Sequence, residues 1–336
     1  MAVTTTSSLS DAVRTMYEKT WLEALRDKFV FLDFTDEYPV DKGFGPVVTF
    51  RRWTALTADS ARQGGSAGDV MNTLTEGTPP DENNLAVETL NVSVGQYGNF
   101  AKITDFLGAT FINGYSKLIN EAIDNLAHQA GDILDRVVRN AAVLASGSPV
   151  SLYGNGKSAG TITDADLATM ADIRKLVRAH KKAFVPYYDG SNYVLVLNPS
   201  TSYDLLGESG SGSWMDANKY TSATPAHAGE LGKMFSVRFV ESNNVTSGSS
   251  NTITTTTGVF QNVFLGKAAL GTVAIKDVTP GDRVEMKHVN IIIKDAGSAG
   301  TADPLNQLLT VGYKFNFAAV RLQASRVINY FSGATA

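Results

Sequence analysis

Residues 115–145 read YSKLINEAIDNLAHQAGDILDRVVRNAAVLA, and the rest of the chain is organised around them. Leu118, Ile119, Ala122, Ile123, Leu126, Ala130, Ile133, Leu134, Val137, Val138, Ala141 and Leu144 recur at steps of three and four, which draws one apolar stripe along a helix. Lys117, Asn120, Glu121, Asp124, Asn125, Asp132, Asp135, Arg136, Arg139 and Asn140 fall on the opposite face. Such a helix would be about 45 Å long, roughly three times the usual length. One greasy side of that length cannot bury itself in a small round core. It needs a sheet or a neighbouring chain laid along it, so the expectation is a flat, elongated α+β subunit built on a spine.

A strand of matching length lies near the C-terminus. Leu309, Val311, Tyr313, Phe315 and Phe317 alternate with polar or small residues, the period of a half-buried strand. Val320 and Leu322 are out of phase with them, which predicts a bulge near Ala318 and Ala319. At about fifteen residues this strand far exceeds the common length, and it is expected to lie against the spine helix.

Towards the N-terminus, residues 1–9 are rich in Thr and Ser. Ser10 can cap a helix to about Lys28, with Val13, Tyr17, Leu22 and Leu25 on one side. Residues 29–46, FVFLDFTDEYPVDKGFGP, read as an extended arm whose Phe29, Phe31 and Phe34 would clasp a neighbouring molecule. Strands are expected over Pro46–Leu56 and Val87–Tyr97. Between them lies a long Gly-, Pro-, Asn- and Asp-rich excursion, and loops of that length without structure usually have a function. Two strands closing such an excursion describe a protruding hairpin with unpaired edges. Its Glu76-Gly77-Thr78-Pro79-Pro80 fits a shaped contact tip.

Beyond the spine, residues 146–160 form a Gly/Ser-rich joint. Thr163 with Asp166 can cap a helix to about Lys182 that turns Leu167, Met170, Ile173, Leu176 and Val177 inward. Tyr193–Leu197, YVLVL, is a buried strand, and Asn198-Pro199-Ser200 opens a short helix. After the low-complexity stretch 207–232 come short strands, so a second, α/β unit spans about Gly160 to Leu270.

Composition narrows the function classes. The net charge is −4, from 29 basic and 33 acidic residues, and no run of five like charges occurs, so contact with nucleic acid should be weak and non-specific. There is no cysteine, which removes disulfides and thiolate chemistry. The N-terminus lacks signal-peptide features and no stretch approaches a membrane span, so the sequence reads as soluble and intracellular at synthesis. Sequons at Asn91 and Asn244 are read as chance. Gly154-Asn155-Gly156-Lys157-Ser158 ends like a phosphate loop, but Ser151 stands where the first glycine belongs, and a helix is expected before the motif. His128, His180, His227 and His288 are far apart and have no partner at metal-ligand spacing. No catalytic set, cofactor site or metal site is expected.

The order of features, together with LTEGTPPD (Leu74–Asp81), QYGNFAKITD (Gln96–Asp105), NVFLGKAALG (Asn262–Gly271) and DPLNQLLTVGYKF (Asp303–Phe315), resembles the major capsid protein of tailed bacteriophages. That fold is shared with herpesvirus capsid floors and encapsulin shells. The resemblance implies an N-terminal arm over 1–44 and an extended loop over 45–98 lying on a neighbouring subunit. It also implies a peripheral domain from 99–155 and 270–336, and an axial domain over 156–269 whose tip is 210–229. Inter-subunit contacts would come from Phe29, Phe31, Phe34, Arg51, Arg52, Trp53, Leu74, Glu76, Pro79, Pro80 and Trp214. The expected partners are further copies in pentamers and hexamers, a portal, separate scaffolding and decoration proteins, and packaged DNA, without a membrane. An encapsulin compartment is the first alternative, a nucleotide-using enzyme built on Gly154–Ser158 the second, and a tail or adhesin protein the third.

Overall fold

The structure is a computed structural model that describes residues 29–41, 45–53, 76–77, 85–110, 115–144, 150–208, 230–247, 258–276, 289–294, 298 and 304–335. The first part of the chain supplies β1 (Thr35–Asp41), β2 (Val47–Trp53), β3 (Val87–Ser93), β4 (Gly95–Thr104), α1 (Asp105–Thr110) and the spine α2 (Tyr115–Leu144). There follow β5 (Val150–Tyr153), α3 (Met170–Lys182), β6 (Tyr193–Leu197), α4 (Pro199–Gly207), β7 (Glu230–Met234), β8 (Val237–Glu241) and β9 (Thr246–Ser247). The last strands are β10 (Val259–Leu265), β11 (Leu270–Lys276), β12 (Val289–Lys294), β13 (Leu308–Arg321) and β14 (Val327–Gly333). The helix expected over 10–28 lies outside the described residues.

The first sheet is built around β13. Leu308 to Phe317 pair antiparallel with Thr104 to Gly95 of β4, while β12 and β11 follow one another along the other edge, and β1 joins β11 in parallel. Leu309, Val311, Tyr313, Phe315 and Phe317 face the spine and meet Ile119, Ile123, Leu126, Ala130, Leu134 and Val138 in one core. Strand and helix lie side by side as their matched lengths predict. Gln129 of the spine adds a polar tie, its Oε1 accepting from Asn99 Nδ2 at 2.7 Å.

The predicted bulge is absent: β13 keeps one register across Ala318 and Ala319. What changes is which face is covered. Ala318 and Val320 turn to the opposite side, where Val40, Val48, Phe50, Leu90, Val92, Val94 and Val273 form a small separate core. An apolar phase slip marks a second packing partner here instead of an extra residue. β4 was not foreseen as a strand, because Gly95, Gly98 and a row of exposed positions break its alternation.

The second sheet runs β5-β14-β10-β6-β8-β7. All of β6 is buried, since Val194 and Val196 join the spine core while Tyr193, Leu195 and Leu197 face α3 and α4. Burial on both faces explains its unbroken apolar run. α3 begins at Met170, later than expected. Thr169 is its cap, accepting from the Asp172 N–H at 3.3 Å and donating to the Asp172 carboxylate at 2.9 Å. Thr163 and Asp166 instead close a turn before it, both Thr163 donors reaching Asp166 Oδ2, and this leaves Leu167 exposed. The final strand, β14, pairs with β10 and β5, so residues 327–333 and 150–153, expected in the peripheral domain, lie in the second sheet, with Val327 also reaching the spine core.

Candidate assembly surfaces

The expected clasp of the arm is internal. Phe29, Phe31 and Phe34 are buried inside this chain's own core and expose nothing for a neighbour to clasp. They are fixed by Asp135, which the helical pattern placed on the polar face. Its Oδ1 accepts from the backbone N–H groups of Val30, Phe31 and Leu32 at 3.0, 2.7 and 3.3 Å. Its Oδ2 accepts from Asn244 Nδ2 at 2.9 Å, and Arg139 donates to the Asn244 carbonyl at 2.8 Å. Burial pushes the Asp135 carboxyl up and these donors pull it back, leaving it above the ordinary carboxylate range. Nothing in the sequence sets Asp135 apart from Asp124 or Asp132, which also stand next to stripe residues.

The ribbon of β2 and β3 does protrude. The two strands pair antiparallel from Val47 with Ser93 to Trp53 with Val87, and no other described strand pairs with either of them. Its base is anchored, with Val48, Phe50, Leu90 and Val92 on the first sheet and Tyr38 edge-on to Phe50 at 5.0 Å. Outward from Phe50 the ribbon is exposed, and Arg52 donates to the Leu322 carbonyl at 3.4 Å. Arg51, Arg52 and Trp53 are exposed, Trp53 at 67%, with Leu85 and Val87 beside it. Arg52 pairs with Glu88 across the strands, and such an exposed pair contributes at most about 1 kcal/mol. Glu76 and Gly77 form an exposed turn. Leu74, Pro79, Pro80 and Trp214, with the 210–229 tip, lie outside the described residues.

A second apolar surface escaped the sequence reading. Phe106, Leu107 and Leu305 are exposed where α1 and the turn before β13 are joined by the hydrogen bond from Asp105 N to Gln307 O at 2.9 Å, and Phe100 is exposed further along β4, opposite Gly312. Alongside, β4 and the spine flank an open groove of about 540 Å³ lined by Phe100, Ala101, Leu118, Ala122 and Gln129 among others. Exposed aromatics at an element end were legible in QYGNFAKITDFL, but only the fold brings the turn that carries Leu305 to the start of α1.

The phosphate-loop motif is occupied by its own chain. A strand, β5, precedes it, not a helix, and no helix follows until Met170. Asn155 donates its N–H to Asp172 Oδ2 at 3.2 Å and its side-chain amide to Asp166 Oδ1 at 3.4 Å. Two carboxylates therefore face the loop where a phosphate would need donors. Burial raises the Asp166 carboxyl, but the Thr163 donors and Asn155 outweigh it and hold it below the ordinary range. His128 is exposed on the spine, while His180 is buried, stacked on Phe264 at 4.5 Å, with no hydrogen-bond partner for either ring nitrogen among the described residues. No cluster of metal-ligating side chains occurs among the described residues, and no described helix is long and apolar enough to cross a membrane. His227 and His288 lie outside the described residues.

No protein-family model matches the chain, and no curated protein matches it. Solved structures do. The capsid protein of Ralstonia phage GP4 superposes with a TM-score of 0.65 at 16% identity, covering 90% of this chain and 88% of that one. The acidic stable capsid of Helicobacter pylori bacteriophage KHP30 gives 0.60 at 13% identity, over 90% and 91% of the two chains. The holo-SrpI encapsulin of Synechococcus elongatus gives 0.55 at 8% identity, over 90% and 86%. The two sheets, the spine between them and the anchored ribbon are thus the α+β fold from which phage capsids and an encapsulin shell are built.

Proposed function

We propose that this chain is the major capsid subunit of a tailed-phage head, assembling with copies of itself into a closed icosahedral shell around double-stranded DNA. The observation that carries this reading is the ribbon. A body with a complete core of its own extends two strands with open edges and an exposed Trp53, an arrangement that a second copy would complete. Contacts of this obligate kind bury some 2,000 Å² or more, at roughly 25 cal/mol per Å² of apolar area before the costs of association.

In this reading the ribbon (45–98) lies over a neighbour, the unit 156–269 points at the five- and six-fold centres, and the spine with the first sheet forms the periphery. Arg51, Arg52, Trp53, Leu74, Glu76, Pro79, Pro80 and Trp214 are the side chains that meet other copies, in pentamers and hexamers. Portal, scaffolding and decoration proteins are its further partners, the host cytoplasm is where it assembles, and its role is structural, not enzymatic. The encapsulin likeness supports a second reading, a shell of the same fold around a protein cargo.

Electron microscopy of the expressed chain tests the first reading, together with a variant lacking Thr57–Ala86. Because Trp53 pairs with Val87, the three remaining residues can close the ribbon as a short hairpin loop. The unaltered chain should form closed particles, and the deletion should give folded subunits without shells. Normal particles from the deletion would remove the ribbon's role. Nuclease-protected DNA inside particles made in the native host separates the phage reading from an enzyme-filled compartment.

A further inference from the structure

Helix α3 carries a cationic face that the linear charge count does not reveal. Arg174, Lys175, Arg178, Lys181 and Lys182 are five of the chain's 29 basic residues, and all are exposed on this one helix. At 100° per residue they fall within an arc of about 120°. The other side of the helix, with Ile173, Leu176, Val177 and His180, is sunk into the core that α3 shares with the second sheet. No acidic residue occurs between Ile173 and Phe184. Lys175 pairs with Asp172 at 2.7 Å, whereas Arg178, Lys181 and Lys182 make no ion pair among the described residues. Arg174 stacks over the exposed Phe235 ring at 5.9 Å, and Phe184 stands exposed beyond the end of the helix. Lys181 and Lys182 also complement the helix dipole, but that does not account for Arg174 and Arg178 earlier on the same face.

We propose that this face of α3 is a docking surface for the phosphate backbone of double-stranded nucleic acid. The inference rests on the shell reading and adds which surface of the subunit meets the packaged DNA. Charge complementarity selects the occupant. In a protein carrying a net charge of −4, a cationic stripe in which Arg178, Lys181 and Lys182 lack an ion pair among the described residues is a local attractor for a polyanion. The core of a protein–protein contact is depleted in lysine, and three of the five cations on this face are lysines, Lys175, Lys181 and Lys182. The stripe spans about 12 Å, enough for only a few phosphates. Binding should therefore be weak, independent of sequence and steeply dependent on salt, as DNA that must slide during filling and release requires.

The test uses the full, unassembled chain and a short fluorescent duplex of mixed sequence, with anisotropy read between about 50 and 200 mM salt. In the variant Arg178→Gln/Lys181→Gln/Lys182→Gln, affinity should fall at least about tenfold at low salt, and the slope of log K against log salt should shrink by roughly 2–3. Lys102→Gln/Lys117→Gln/Lys314→Gln removes three exposed cations from the first sheet and the spine and should leave both quantities nearly unchanged. Equal losses in the two variants would reduce the effect to net charge and overturn the proposal. So would undiminished binding by the α3 variant, or an α3 variant that binds DNA normally yet forms no shells, since the stripe would then be a contact between copies. Shell formation by the unaltered chain is scored separately by microscopy. If that fails, the shell reading falls and takes the packaged-DNA assignment with it; if it holds and DNA binding survives the α3 changes, only the present inference falls.

Discussion

Asp135 joins three parts of the chain through one side chain. Its two oxygens satisfy three consecutive arm N–H groups and the Asn244 amide. Asp135→Ala would strand those donors in a buried site, and we expect a loss of about 3–5 kcal/mol. Asp135→Asn keeps an acceptor for the arm and should lose clearly less. Urea denaturation of both variants checks this, and equal losses would mean that the charge matters and not the acceptor. His180 sets a different dependence. Burial pushes its pKa down to about 3 from 6.5, so the folded state favours the neutral ring. Its contribution is complete above pH 6.5 and is lost as the pH falls from there towards 3. Between pH 7 and pH 4 this amounts to about 3 kcal/mol. His180→Phe, which keeps the stack on Phe264, should flatten that part of the stability–pH curve, and an unchanged acid limb would refute the assignment.

Among the elements, the ribbon and the spine are the pieces whose partners differ. The ribbon's base is held by this chain, so its outer part can be changed without unfolding the subunit. Trp53→Ala should alter subunit stability by no more than about 0.5 kcal/mol while sharply lowering the yield of particles. Chemical denaturation and particle counts read the two effects separately, and unimpaired assembly would exclude Trp53 as a contact. The strand pair was legible because Leu90, Val92 and Val94 alternate with polar residues. The spine was legible from its stripe. The β13 phase slip was misread, because alternation reports which side is apolar and not what covers it. The cationic face of α3 was missed for a related reason: charges spaced by helical turns do not form a run.

For the molecule as a whole, the two sheets share the spine core, since Val194, Val196, Val263 and Val327 of the second sheet are continuous with the α2–β13 contact. The body should therefore unfold as one unit, and under the proposed shell reading the exposed outer ribbon would gain its burial between copies. Assembly then stabilises the folded state by mass action. Urea midpoints should be higher for shells than for subunits kept below the assembly concentration, and coincident midpoints would contradict an obligate array.

The sequence by itself determined the spine, the long strand beside it, the protruding strand pair and the α/β alternation of the second unit. Each of these depends on a local period of apolar residues, which the chain writes in order. Only the tertiary structure decided that the arm phenylalanines are internal, that Asp135 is buried, that the last strand crosses into the second sheet and that the turn carrying Leu305 meets the start of α1. Those outcomes depend on which distant segments meet, and burial is a property of the meeting, not of either segment alone.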